Sequence, residues 1–364
     1  MRVRKDWVDF IRAAAIIMVV VQHTVGNATG ARMFVSFLTL SAVPAFVVLM
    51  GYTKALSICS FYRRKENKGK SILTYTCKAM LPVLCAYLIA NVVYMIEEAA
   101  GYLEYNLLWN YLLNFGAASG PLYFIRYFVL FSLWAPVLYV ALAMMNKIPN
   151  IVFRRGCAIL FLGAMWFLGY YGNQMVFGSS YLFLYVLGMM PVVMPLHHWE
   201  RRSVCILGVP LCAGGGIACW HFYQAWYPAM MNGTDYQRTG LDKWFPSLML
   251  NPPCPSVVLW ALGVIIVLYT AAKGIERGIT HGVGLRRFYS GFCMTGKYSL
   301  DVFMWHLLVI HKAGQYIPVL NVIAMENFAA YVLLVDVPAV VIPVAIRVLY
   351  NQCKKTAYKV LTED

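Results

Sequence analysis

Ten apolar runs recur along the chain, at roughly residues 7–27, 34–56, 79–96, 121–145, 156–173, 179–196, 203–221, 254–272, 298–316 and 326–350. An α-helix needs ~20 apolar residues to cross ~30 Å of hydrocarbon, and within lipid a helix satisfies its own backbone donors and acceptors. The runs therefore predict an all-α, polytopic transmembrane protein with about ten spans, organised as one domain over residues 1–364. Composition excludes an ordinary soluble domain: 12% of the residues are charged and 61% are hydrophobic, whereas soluble domains are ~25% charged. No connection between runs has room for a separate soluble domain.

The net charge of +15 would suggest a nucleic-acid partner in a soluble chain; here it is expected to mark one membrane face, with no nucleic acid involved. If the amino terminus lies inside, 25 of the 30 Lys and Arg fall in inner segments. Only Arg32, Arg126, Arg238, Lys243 and Lys312 fall outside or toward the outer ends of spans. That separation predicts a multi-pass protein of an inner or plasma membrane with both termini cytoplasmic. The opening MRVRK before an apolar run imitates a signal peptide, but no small-residue cleavage site precedes His23, so it is read as a retained first span. Ten cysteines show no paired CxxC spacing. Cys205, Cys212 and Cys219 recur every seven residues as small helix-face residues would, so packing rather than disulfides or a metal is expected.

Ionisable residues inside spans need a reason. The first run, WVDFIRAAAIIMVVVQHTVG, carries Asp9, Arg12 and His23. Asp9 and Arg12 are three apart and share a helix face, where they can pair; His23 lies about three turns and ~16 Å beyond Arg12. Two readings stand: headgroup anchors and a capping histidine, or a charged anchor at one face with a base deeper in. Arg126 in GPLYFIRYFVLF is expected at roughly the depth of His23, either sharing a polar cavity with it or snorkelling outward. His306 in SLDVFMWHLLVI is either a third member of that cavity or a core histidine bonded to a backbone carbonyl. Asp301 is expected to help bind a cation or to pair with a basic loop residue. The connection from Tyr52 to Lys78 gathers Lys54, Arg63, Arg64, Lys65, Lys68, Lys70 and Lys78 against Glu66 alone, which suits topology fixation or a seat for a polyanionic ligand. Gly101–Phe115 reads as an interfacial or re-entrant helix. The 222–253 loop interleaves Trp226, Tyr227, Tyr236 and Trp244 with polar groups, as a sugar site or an interfacial aromatic belt would.

At these residues the chain resembles the acyltransferase-3 family of integral membrane O-acyltransferases. An acidic residue, Arg, a small residue and then His after a ten-residue gap from the Arg match that family at Asp9, Arg12, Ala15 and His23. Further matches are AFVVLMGY ending at Gly51 and Tyr52, LYF at Leu122 to Phe124 with Pro136 after it, FLYVLG ending at Gly188, and SLDVFMWH ending at His306. The resemblance implies transfer of an acyl group, most often acetyl from cytoplasmic acetyl-CoA or another acyl-CoA, to a hydroxyl of a sugar, polysaccharide or glycolipid at the bilayer. His23 would then be the catalytic base, and Arg126 would bind the acceptor or stabilise developing charge. Arg12, Arg63, Arg64, Lys68, Lys70 and Lys78 would hold the donor phosphates, with Asp9, Tyr52 and His306 in support. The chain departs from the pattern at Met50, where Ser is usual, at Asp301, where Gly is usual, and at Tyr75-x-x-Lys78 before Pro82, where the family carries Arg-x-x-Arg. Two other classes compete: a glycolipid or small-solute transporter or flippase, and a sensor or partner-binding protein that keeps the fold without the chemistry. Oligomeric state is not legible.

Overall fold

The computed structural model describes residues 5–25, 31–64, 69–98, 122, 124–172, 181–195, 198–231, 253–278 and 283–363. In chain order its helices are α1 Asp6–Thr24, α2 Ala31–Thr39, α3 Ala42–Arg63, α4 Ile72–Glu98, α5 Phe124–Asn146, α6 Ile151–Tyr171, α7 Tyr181–Val193, α8 His198–Met231, α9 Pro255–Gly278, α10 Val283–Lys297, α11 Ser299–Tyr316, α12 Val319–Glu326 and α13 Phe328–Tyr331. A π-helical turn, Val332–Asp336, then leads into α14, Val337–Glu363. The protein is all-α and polytopic. The expected segments Gly101–Phe115 and most of the 222–253 loop, including Tyr236 and Trp244, lie outside the described residues, as does Lys68.

Among the described residues each of the ten apolar runs contains helix, but they do not all cross in the same way. Among the described residues eight helical segments are long and apolar enough to span on their own. The ninth run is broken: α11 and α12 are bent by 106°. The break falls at Ile317, whose φ of −128° and ψ of 73° are not helical; Pro318 follows it, and a residue before proline is pushed out of the helical region. The sixth run forms only the 13-residue α7, ~20 Å long at 1.5 Å per residue and too short to cross alone. Its apolarity has another cause. Tyr181, Leu182, Leu184, Tyr185, Val186 and Met189 are all buried in one core with residues of α3, α5 and α6, and a helix apolar all round is one enclosed by others. By contrast α6 turns outward, with Ile159 69% and Leu160 75% exposed, the signature of a lipid-facing surface.

The chain divides into two compact units, Met1–Ala42 with Leu268–Asp364, and Val43–Val267. In the first, α1 lies against α10. Phe10 stacks on Tyr289 at 5.6 Å and meets Phe292 at 4.9 Å, Trp7 meets Tyr269 edge-on at 5.0 Å, and Gly296 sits where a Cβ would collide with the Asp9 carbonyl. The Cys293 thiol donates to the Asp6 carbonyl at 3.5 Å; burial pushes it up to about 11, so it stays protonated. Helix α14 runs back along α11, tied by Arg347 Nε to Asp301 Oδ1 at 3.3 Å and by Asn351 Nδ2, which donates to the Tyr298 hydroxyl at 3.3 Å. Asp301 thus takes a basic partner, from a helix rather than a loop.

In the second unit two helix crossings rest on glycine. Gly51 of α3 lies on the Tyr185 carbonyl while Gly188 of α7 lies on the Val48 carbonyl, so each helix presents a missing side chain to the other's backbone. Gly215 of α8 and Gly263 of α9 repeat the device, against Trp260 and Cys212 respectively. Small residues let helices approach where lipid offers no hydrophobic driving force. The middle cysteine of the seven-residue series therefore sits in a helix–helix contact. Asn150 begins α6 by accepting from the Val152 and Phe153 amides at 2.9 and 3.0 Å, a side-chain cap.

Candidate functional site

Helix α1 carries polar groups at both ends and little between them. Near its start Asp9 is 4% exposed, and Arg12 approaches it at 4.0 Å. One helix face thus holds both, as their three-residue spacing requires. Near its end His23 is exposed, and its ring lies 5.2 Å from that of His306, with the planes inclined at 43°. His306 is wholly buried in the middle of α11. Its Nδ1 lies 3.0 Å from the Val302 carbonyl and 3.1 Å from that of Phe303. Carbonyls only accept, so Nδ1 carries the hydrogen and Nε2 is left as a lone-pair acceptor. That Nε2 is buried with no hydrogen-bond partner. Of the two sequence readings of His306, the structure realises the core histidine bonded to backbone carbonyls, and it also sets that ring beside His23. His311, one further turn along and exposed, is an electrostatic neighbour of both rings. Among the described residues no group of three or more His, Cys, Asp or Glu is arranged to hold a metal.

Next to this pair stands a carboxyl group that the sequence reading passed over. Asp336 is 3% exposed and closes the π-helical turn. The Thr24 hydroxyl, adjacent to His23, donates to Asp336 Oδ2 at 3.0 Å and to the Val21 carbonyl at 3.0 Å. Asp336 Oδ1 is buried without a partner. Single π turns inside helices concentrate at functional sites, and a buried carboxyl in a spanning helix is a functional candidate by default. The signal was present in the sequence: Asp336 is the one charged residue in the run from Phe328 to Ile346. His311 and Thr24 gave no such signal, because a histidine and a threonine near helix ends are ordinary.

The remaining expected site residues belong to the second unit. Tyr52 is half-buried, and Arg126 is half-buried in the first turn of α5. Arg63, Arg64, Lys70 and Lys78 are exposed around the reversal between α3 and α4, where Gly69 takes the left-handed φ of +80° that favours glycine. Tyr75, standing where the family has arginine, ties these helices together. Its hydroxyl lies 2.8 Å from that of Ser57, and its ring packs 4.8 Å from Phe61. These basic residues lie at the end of α3, just before α4 and in its second turn, without the family's own arginine pair. His23, His306, Asp9 and Arg12 are thus in one unit, and Arg126 with the basic turn in the other.

These features define a class, a multi-pass helical membrane protein with a histidine pair and a buried carboxyl inside its spans. The family follows. The model of the acyltransferase-3 family, an acyltransferase domain, matches residues 5–348, and the chain belongs to that family. It is a membrane acyltransferase. No curated protein and no solved structure matches the chain.

Proposed function

We propose that the protein transfers an acyl group, acetyl from acetyl-CoA, to a hydroxyl of a sugar, polysaccharide or glycolipid at the membrane. The observation that carries this reading, beyond the family, is the pairing of His23 with His306 within a largely apolar helix bundle. An exposed imidazole at the end of α1 is accessible to a substrate hydroxyl, while a buried one fixed by two carbonyls behind it limits where the first ring can lie. His23 takes the proton as the acceptor oxygen attacks the thioester carbonyl. The new C–O bond forms, the C–S bond breaks, and the imidazolium returns the proton to the departing CoA thiolate. Reaction requires the hydroxyl and carbonyl carbon to be held ~3–3.5 Å apart. Arg126 is assigned the anionic partner, the acceptor or the carbonyl oxygen as its charge develops. Arg12, Arg63, Arg64, Lys70 and Lys78, with Lys68, are assigned to the donor's phosphates as charge-assisted hydrogen-bond donors. The basic segments are assigned to the cytoplasmic side, where acyl-CoA is made.

The test is single-turnover transfer from labelled acetyl-CoA to membrane glycolipid extracts, read by mass spectrometry at saturating donor. His23→Gln should lower the rate ~10²–10⁴-fold with donor binding retained, since general-base assistance acts on the proton and not on the phosphates. A rate within about twofold of the wild type, at matched folding and donor occupancy, would remove His23 from the role and pass it to His306.

A further inference from the structure

A second basic site lies where α10, α11 and α14 meet in the first unit. Lys297, Tyr298, Asn351, Lys354 and Lys355 line an open cavity of ≈ 430 Å³, within the ~300–1,000 Å³ range of small-ligand sites. Among the described residues its lining has three ammonium groups and no carboxylate. Asp301, in the first turn of α11, is engaged by Arg347 rather than by these lysines. The walls are fixed: Asn351 donates to the Tyr298 hydroxyl at 3.3 Å, and the Lys297 ammonium stands 5.0 Å from the centre of the Tyr298 ring, a cation–π distance. Like charges held around a concavity repel one another unless an anion joins them.

The setting narrows the anion. Helix α10 is too short to span, and it exposes Val283, Leu285, Phe288 and Met294 together with Arg286 and Arg287, the pattern of a helix lying at a membrane surface beside acidic headgroups. Basic pockets between helices at such a surface suit phosphate groups, to which lysine binds as a flexible point charge. Asn351 is also fifteen residues along α14 from Asp336, ~22 Å at 1.5 Å per residue, so the cavity is separate from the histidine pair.

We propose that this cavity is a binding site for a phosphate-bearing ligand. Two sources share that chemistry: the headgroup of an anionic phospholipid, and the phosphates of a soluble nucleotide. The proposal does not rest on the acyl-transfer reading, because its readout is phosphate binding and not turnover.

The experiment uses the full-length protein in neutral detergent, titrated separately with dioctanoyl phosphatidylglycerol, dioctanoyl phosphatidylcholine and adenosine 3′,5′-bisphosphate. At least one anionic probe should bind saturably, and the combined Lys297→Gln, Lys354→Gln and Lys355→Gln variant should bind it about tenfold more weakly or worse. The matching Lys→Arg variant should keep the affinity, and phosphatidylcholine should not discriminate among the three proteins. Loss confined to the lipid assigns the headgroup, and loss confined to the bisphosphate assigns the nucleotide. In the wild type the bound probe should also shield these three lysines from an amine-reactive reagent, a measurement independent of how the variants fold. The proposal is overturned if neither anionic probe binds the wild type, if a folded Gln variant binds both unchanged, or if lysine labelling is indifferent to a saturating probe.

Discussion

Asp336 is a costly residue to keep. A carboxyl group 3% exposed with one oxygen unpartnered gives up hydration that a single hydroxyl bond does not restore. Its described hydrogen-bond partner is Thr24, the residue after His23, so the function best served is holding the end of α1. Two substitutions separate this from a packing role. Asp336→Val removes the acceptor and the desolvation cost, and Thr24 keeps the Val21 carbonyl; apolar replacement of buried ionic groups is often neutral or stabilising, by ~1–4 kcal/mol in the best cases. Its unfolding midpoint should therefore stay level or rise while transfer falls about tenfold or more. Asp336→Asn keeps an acceptor for Thr24 and should retain most activity. A Val variant that unfolds early, or an Asn variant as inactive as the Val variant, contradicts the positioning role.

Among the elements, the crossing of α3 and α7 explains two glycines of the family pattern in physical terms. Gly51 and Gly188 each face the other helix's backbone carbonyl, so a methyl group at either has nowhere to go without separating the helices. Gly51→Ala should cost ~1–3 kcal/mol through overpacking. Gly163→Ala provides the control: nothing lies within 4 Å of a Cβ there, and the change should be neutral or gain ~0.5–1 kcal/mol from helix propensity. Denaturant titration of the purified protein checks both, and equal stability of the two variants would show that α3 and α7 can move apart freely. The same crossing bears on Met50, which replaces the family's usual serine. It packs as a partly buried apolar residue against the α7 core and adds no hydroxyl there.

For the whole molecule the prediction concerns orientation. With the basic segments inside, a cysteine placed at Asp235 should react with a membrane-impermeant thiol reagent on intact cells. The native Cys353, exposed on α14, should react only once the membrane is opened. Labelling of the Asp235 position from the cytoplasmic side alone would reverse the topology, because 25 basic residues would then lie outside against the positive-inside bias. The arrangement requires ten crossings: α11 and α12 must together make one passage, as their combined apolarity allows, and the 13-residue α7 must complete another with the residues that flank it, since it is too short to cross alone.

The sequence by itself determined that this is a helical membrane protein, because an apolar run of spanning length has one way to satisfy its backbone in lipid and needs no knowledge of its neighbours. It also determined the Asp9–Arg12 pairing, a local matter of helix period, and the family, through motifs carried in order along the chain. Other features depended on contacts between distant residues. The shortness of α7 could not be read from an apolar run, because burial among helices and burial in lipid select the same side chains. The bend at Ile317 was signalled by Pro318, but a proline fixes where a helix breaks and not the angle of 106° between its two halves. His23 and His306 are 283 positions apart and Thr24 and Asp336 are 312 apart. Only the folding of α1 against α10, α11 and the π-helical turn makes neighbours of them, since helix period fixes which residues share a face but not which helix that face meets.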